Sequence, residues 1–111
     1  MNIDQLRELC LSFPGATEDL KWGADICFSV GAKMFCVTGE WGGASFKVTP
    51  EEFDEMTERD GIIPAHYMAR NKWVTVQEFT KLKPKEWKHY IGQSYDLVRS
   101  KLPKKVQQGL G

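Results

Sequence analysis

Between Asp25 and Val48 the chain alternates apolar and polar residues around two tight breaks, and that pattern leaves few folds open. Ile26, Phe28 and Val30 alternate with Cys27 and Ser29, the mark of a strand with one buried face. Gly31-Ala32 has the length of a two-residue hairpin turn, with Gly first as type II′ requires. Met34, Phe35, Cys36 and Val37 then follow without a polar break, so both faces of this strand should be covered and it should be central. After the turn 39–43, Ala44, Phe46 and Val48 alternate with Ser45 and Lys47, giving the third strand of a meander. On this alternation Lys47 points away from Phe46 and Val48.

Helical patterns flank the meander. Ile3, Leu6, Leu9 and Cys10 fall at helical spacing, with Asn2 as N-cap, and Phe13-Pro14-Gly15 ends the segment. Ala16–Gly23 reads as a short edge strand around Asp19–Trp22. Thr49-Pro50-Glu51-Glu52 has the residues of a capping box with Pro at the first helical position, and this helix runs to about Arg59-Asp60-Gly61. Residues 62–70 read as irregular, broken by Pro64, and Lys72–Phe79 as a strand with Val74 and Val76 opposite Trp73 and Thr75. From Pro84, the residues Trp87, Ile91, Ser94, Tyr95, Val98 and Leu102 make a 3.6-residue stripe. Pro103 interrupts it, leaving Lys104–Gly111 as a short turn or frayed tail. The expected order is α-β-β-β-β-α-β-α, a mostly antiparallel sheet flanked by helices, in the α+β class.

At 111 residues this is one domain, 1–111, without room for a second core. No apolar run approaches the ~20 residues that span a bilayer. The N-terminus lacks the basic and apolar regions of a signal peptide, so a cytoplasmic protein with no membrane contact is expected. Cys10, Cys27 and Cys36 are odd in number, widely spaced and set in apolar patterns, which reads as buried free thiols. The formal net charge is zero but unevenly spread. Residues 1–69 hold 5 basic and 12 acidic side chains, and residues 70–111 hold 10 basic and 3 acidic. A basic half of this kind attracts an anionic polymer or complements the acidic half after folding.

The usual chemical signatures are missing. The glycines between 39 and 43 join two strands and lack the Lys-Ser/Thr of a phosphate loop. His66 and His89 have no Cys or carboxylate at metal-ligand spacing. Cys36 sits where a thiolate is destabilised, whereas Cys27 points opposite Ile26 and Phe28 and is expected to be partly exposed, beside Asp25. The acidic run from Glu51 to Glu58 is a solvated helix face. No catalytic residue, metal or cofactor is therefore assigned, and the chain is expected not to be an enzyme. A pocket gathering Lys33, His66, Tyr67 and Trp73 would be the sign of an activity that these patterns do not reveal.

The basic residues carry more. Lys85, Lys88 and Arg99 fall within about 60° of one another on a helical wheel of ~100° per residue. Arg70 and Lys72 lie near the strand that begins beside Trp73, Lys33 and Lys47 lie on the meander, and Lys101, Lys104 and Lys105 follow the last helix. Trp41, at a loop tip between glycines, either folds back or stays exposed to bind. Positive charge interleaved with flat aromatic surface is what a nucleic-acid groove uses.

Several short motifs stand in a fixed order. They are Phe13-Pro14-Gly15-Ala16-Thr17-Glu18-Asp19, Trp22-Gly23, Lys33-Met34-Phe35 and Lys47-Val48-Thr49-Pro50-Glu51-Glu52. Gly61-Ile62-Ile63-Pro64-Ala65-His66-Tyr67, Trp73-Val74, Ser94-Tyr95-Asp96-Leu97-Val98 and Lys101-Leu102-Pro103-Lys104-Lys105 complete the set. Together they resemble the MmcQ/YjbR family of small bacterial proteins over about residues 3–106. The family's common Pro-Ala-Pro-Tyr stretch stands here as Pro64-Ala65-His66-Tyr67. The resemblance implies a fold like the "double wing" of a transcription-factor DNA-binding domain, and it supplies no catalytic residues. Function does not follow from fold alone.

The expected function is accordingly a non-enzymatic DNA-binding domain, monomeric, using Lys33, Trp41, Lys47, Arg70, Lys72, Trp73, Lys85, Lys88 and Arg99. The alternative is an interaction or adaptor module for an unidentified protein partner, with no nucleic-acid binding.

Overall fold

The meander becomes the middle of a six-stranded, wholly antiparallel sheet. The computed structural model describes residues 1–21 and 23–110; the parts of the edge-strand and tail expectations that fall on Trp22 and Gly111 lie outside the described residues. The elements are α1 (Ile3–Leu11), β1 (Ala16–Lys21), β2 (Asp25–Val30), β3 (Lys33–Thr38), β4 (Ala44–Lys47), α2 (Pro50–Met56), β5 (Ile62–Pro64), β6 (Trp73–Val76), α3 (Pro84–Arg99) and α4 (Lys104–Gly109). The strands lie in the order β1-β2-β3-β4-β6-β5, so β3 is central, as its unbroken apolar run requires.

Two elements go beyond the expected order. Residues 62–64 are not irregular but form the short edge strand β5, paired with β6 from Ile62↔Val76 to Pro64↔Val74. Pro64 is tolerated because an edge strand needs no N–H on its outer side. Residues 104–109 form α4 rather than a frayed tail, starting after Pro103 and held by Gln107 Nε2, which donates to the Leu102 carbonyl at 2.7 Å. The strand expected over 72–79 is confined to Trp73–Val76 and is followed by a 3-10 turn at Phe79–Lys81. The second helix ends at Met56, where Thr57 Oγ1 donates back to the Phe53 carbonyl at 2.8 Å.

The helices cover one face of the sheet. Leu6 and Cys10 of α1, Met56 of α2, and Trp87, Ile91, Tyr95 and Val98 of α3 pack onto Phe28, Val30, Phe46, Val74 and Val76. The capping box that starts α2 forms as its sequence predicts: Thr49 Oγ1 accepts from the Glu52 amide at 3.2 Å, and Glu52 Oε1 accepts from the Thr49 amide at 3.2 Å. On the opposite face a smaller cluster is buried: Cys27, Val37, Ala65 and Trp73, with Met34 and Met68 against it. Cys27 is fully buried there, not partly exposed, because the segment after β5 folds Ala65 and Met68 over the sheet.

A bulge between Phe28 and Ser29 shifts the β2–β3 register, pairing Phe28 with Cys36 and Ser29 with Met34. The extra residue, Phe35, thereby joins Cys36 in the helix-side core, where its ring meets Tyr95 edge-on at 5.4 Å. The Gly31-Ala32 turn is of the I′ kind rather than II′, since both residues have positive φ, +56° and +66°. Left-handed backbone costs an alanine about 1–2 kcal/mol, more than the ~0.4–1 kcal/mol of added unfolded-chain entropy that a glycine brings. Ala32→Gly is therefore expected to raise stability by about 0.5–1 kcal/mol; a fall in the denaturation midpoint would show that the turn is not strained.

Candidate nucleic-acid interface

The helix-free face carries two grooves that share Met68. The first, about 330 Å³, is lined by Lys33, Met34, Lys47, Trp73, Leu97, Lys101 and Leu102 among others, at the sheet end nearest the 31–32 turn. Antiparallel pairing sets Lys47 directly opposite Trp73, so the two side chains share a face. The Lys47 ammonium donates to the Asn71 carbonyl at 2.6 Å. Burial, and then the neighbouring Lys101, lower its pKa from the ordinary lysine value. Among the described residues, no carboxylate lines this groove. Among the described residues, Lys33, Lys47 and Lys101 take no part in an ion pair, whereas Arg7 pairs with Glu18, Arg59 with Glu86 and Lys81 with Asp60.

The position of Lys47 depends on Ser94. Where β3 and β4 diverge, the Lys47 amide donates to Ser94 Oγ at 3.0 Å, and that hydroxyl donates to the Phe35 carbonyl at 2.6 Å. A helix side chain thus stands in for a ladder hydrogen bond beside the bulge, and it holds the end of β4 that presents Lys47.

The second groove, about 500 Å³, is lined by Asp25, Val37, Trp41, Ser45, Ala65, His66, Tyr67, Met68 and Thr75. Trp41 is both folded back and exposed. A Cβ at Gly39 would lie 2.9 Å from its ring, and one at Gly43 would lie 2.0 Å from the Val76 carbonyl oxygen, so both glycines are needed for the close approach. The indole nevertheless keeps 45% of its surface in solvent. Tyr67 is 92% exposed and its φ is +66°, an unusual conformation for a bulky residue, with the His66 ring 3.9 Å from its own.

The expected basic set is therefore divided. Lys33, Lys47 and Trp73 come together, and Trp41 lies on the same face in the neighbouring groove. Trp73 is 5% exposed, so it serves as groove wall rather than as a free stacking surface. Arg70 is exposed on the 3-10 turn Ala69–Asn71. Lys72 turns away, its ammonium 5.0 Å over the Phe53 ring of α2. Lys85, Lys88 and Arg99 belong to α3, on the other side of the sheet. Lys85 and Arg99 are also separated by roughly 20 Å along the helix at ~1.5 Å per residue. Lys88 borders a cleft with Gln5 and Leu9 of α1, and Arg99 one with Lys104 and Gln107. A helical wheel gives angles about one axis and cannot show which side of a sheet that axis lies on. Lys101 and Tyr67 are the residues sequence reasoning left out of the site; Tyr67, beside His66, carried no signal of its left-handed backbone. Lys33 and Trp73 do not meet His66 and Tyr67 in one pocket, because the grooves divide them.

Thiol chemistry has little footing. All three cysteines are buried, and burial pushes the Cys27 and Cys36 thiols up, Cys36 strongly and with help from Cys10. Among the described residues no group of three or more His, Cys, Asp or Glu is placed to hold a metal ion, and no helix is long and apolar enough to cross a membrane.

Two solved structures are similar to this chain. The Deinococcus radiodurans protein DR2400, described as a DUF419 domain, matches with a TM-score of 0.88 at 26% identity, over 98% of this chain and 87% of its own. A Pseudomonas syringae protein matches with a TM-score of 0.73 at 22% identity, over 88% of this chain and 99% of its own, a likeness of fold alone. No curated protein matches the chain. The sequence family described as YjbR matches residues 11–97, which span the sheet, the loop over its helix-free face and most of α3. The chain belongs to the YjbR family.

Proposed function

We propose that this protein is a non-enzymatic nucleic-acid-binding domain, with DNA as its polymer, and that it binds through the helix-free face. Lys33, Lys47 and Lys101, with Arg70 nearby, would take phosphates, while Trp41 and Tyr67 would stack bases. The observation that carries this reading is the placing, on one face, of a groove lined by three lysines and, among the described residues, no carboxylate, beside a groove flanked by two exposed aromatic rings. Neither element alone is unusual. Together they supply the backbone track and the stacking platforms of a single-strand site.

Stacking needs an open base plane, so single-stranded DNA should bind more tightly than duplex. Each phosphate contact on a single strand contributes about −0.7 to the log–log salt slope, so three lysines predict a slope near −2. Base–aromatic stacking contributes about 1–3 kcal/mol. Tyr67→Ala and Trp41→Ala should therefore each weaken single-strand binding about tenfold without changing that slope. Titration of labelled oligonucleotides with each variant tests this; equal affinity for both variants and the parent protein would remove the stacking role.

A further inference from the structure

We propose that the groove between Trp73 and the end of α3 is a binding site for a phosphate monoester carried on a small apolar body. This goes beyond the nucleic-acid reading and does not require it. The groove has two kinds of lining that a bare phosphate track does not need. Its walls are apolar, formed by Met34, Met68, Trp73, Leu97 and Leu102, and three lysines, Lys33, Lys47 and Lys101, also line it. At about 330 Å³ it lies at the small end of the ~300–1,000 Å³ typical of clefts that enclose small ligands. A phosphodiester backbone offers nothing to cover the part-exposed Met34, Met68 and Leu97, whereas a small apolar group such as a phenyl ring does.

Charge points to the headgroup. Of the 15 Lys and Arg side chains, Arg7, Arg59 and Lys81 have a carboxylate partner among the described residues, so an unpaired cation in open solvent is ordinary here and a half-buried one is not. The groove lysines have none among the described residues, although Lys47 is half-buried and held against the Asn71 carbonyl. Its ammonium has lost part of its water without gaining a counterion, and its proton is accordingly held less firmly. A phosphate monoester, carrying about −1.5 to −2 at neutral pH, suits three lysines better than a singly charged group does. Lysine is a point-charge phosphate binder that requires no planar fork.

Such a headgroup occurs on a free small molecule and on the phosphorylated end of a nucleic-acid strand. The test follows the backbone amide resonances of the full chain during titration with phenyl phosphate, inorganic phosphate or benzyl alcohol. Phenyl phosphate should shift Met34, Lys47, Trp73 and Leu102 and bind at least tenfold more tightly than inorganic phosphate, while benzyl alcohol leaves these resonances in place. Lys47→Met should weaken phenyl phosphate at least tenfold, and so should Lys33→Gln/Lys101→Gln, whose side chains lie at the exposed rim and are not needed for folding. Lys85→Met, on the far side of the sheet, should have no effect. Phenyl phosphate binding no tighter than inorganic phosphate, or shifts scattered over surface lysines, would overturn the proposal. A strand end as the source predicts that a 5′-phosphorylated oligonucleotide binds at least tenfold better than its 5′-hydroxyl form and is displaced by phenyl phosphate. A free small molecule as the source predicts equal binding of the two oligonucleotides. The 5′-hydroxyl oligonucleotide tests the nucleic-acid reading by itself, so the two proposals fail separately.

Discussion

Trp87→Ala should remove most of the stability of this domain. Trp87 is fully buried, with Phe46 at 5.9 Å and Phe79 at 5.5 Å between ring centroids, and its indole N–H donates to the Phe79 carbonyl at 2.9 Å. Truncating a buried tryptophan to alanine costs about 3–5 kcal/mol through lost burial and the cavity left behind. The Phe79 carbonyl also loses its partner, adding about 1–3 kcal/mol where water cannot reach it. Small domains are stable by about 5–15 kcal/mol in all, so a loss of about 4–8 kcal/mol should take a large share of the total and unfold the variant outright if the parent lies at the low end of that range. Trp87→Phe keeps much of the ring volume but not the N–H donor, and should fall between the two. Denaturant unfolding of the three proteins checks the order. An alanine variant within 1–2 kcal/mol of the parent would mean that α3 is not the anchor of the helix-side core.

Ser94→Ala is the second large effect, from a far smaller change. The hydroxyl satisfies the Lys47 amide and the Phe35 carbonyl at once, and Ser94 has no exposed surface. Alanine fits the space but leaves the buried Phe35 carbonyl and the part-buried Lys47 amide without this partner, at about 1–3 kcal/mol each. The expected loss is about 2–4 kcal/mol, since some relaxation of the strand ends is open to the chain. Ser100→Ala is the control: its hydroxyl bonds the Leu97 carbonyl on an exposed turn, and it should cost no more than about 0.5 kcal/mol. Equal effects for the two serines would show that the β3–β4 junction closes its own hydrogen bonds. Because Ser94 holds the strand end that presents Lys47, a folded Ser94→Ala protein should also bind anions less tightly.

Local patterns made most of the architecture readable. Alternation at Ile26, Phe28 and Val30, the Thr49-Pro50-Glu52 cap and the Trp87-to-Leu102 stripe each state a requirement within a few residues. The features missed were those decided by distant partners. Residues 62–64 become a strand only because β6 offers an edge, and nothing within three residues containing a proline announces that. The I′ turn carries an alanine where glycine would be favoured, so strand twist, not residue preference, selected it. Ser94 stood in the helical stripe as one more inward position. Its role appears only once the bulge at Phe35 leaves a carbonyl facing α3. The candidate face was half legible. Alternation placed Lys47 opposite Phe46 and Val48, but its pairing with Trp73 depends on β4 lying beside β6, a strand order that no local pattern states. Lys101 enters the groove only because the end of α3 reaches the sheet's rim, and Lys85, Lys88 and Arg99 leave the site because their helix packs on the other face.

The division of the basic residues gives the most direct test of the nucleic-acid account. Fluorescence anisotropy of labelled single-stranded and duplex DNA, at two salt concentrations, should be recorded for three proteins: the parent, Lys33→Glu/Lys101→Glu, and Lys85→Glu/Lys88→Glu. All four substituted lysines are solvent-exposed and the two double variants have the same net charge, so folding and overall charge should change alike. Micromolar single-strand binding is expected at low salt, weakening as salt rises, lost in the Lys33/Lys101 variant and changed by no more than about threefold in the Lys85/Lys88 variant. Equal loss in both variants would reduce the interaction to non-specific charge. Absence of binding by the parent at low salt would contradict the account and leave the interaction-module reading in its place.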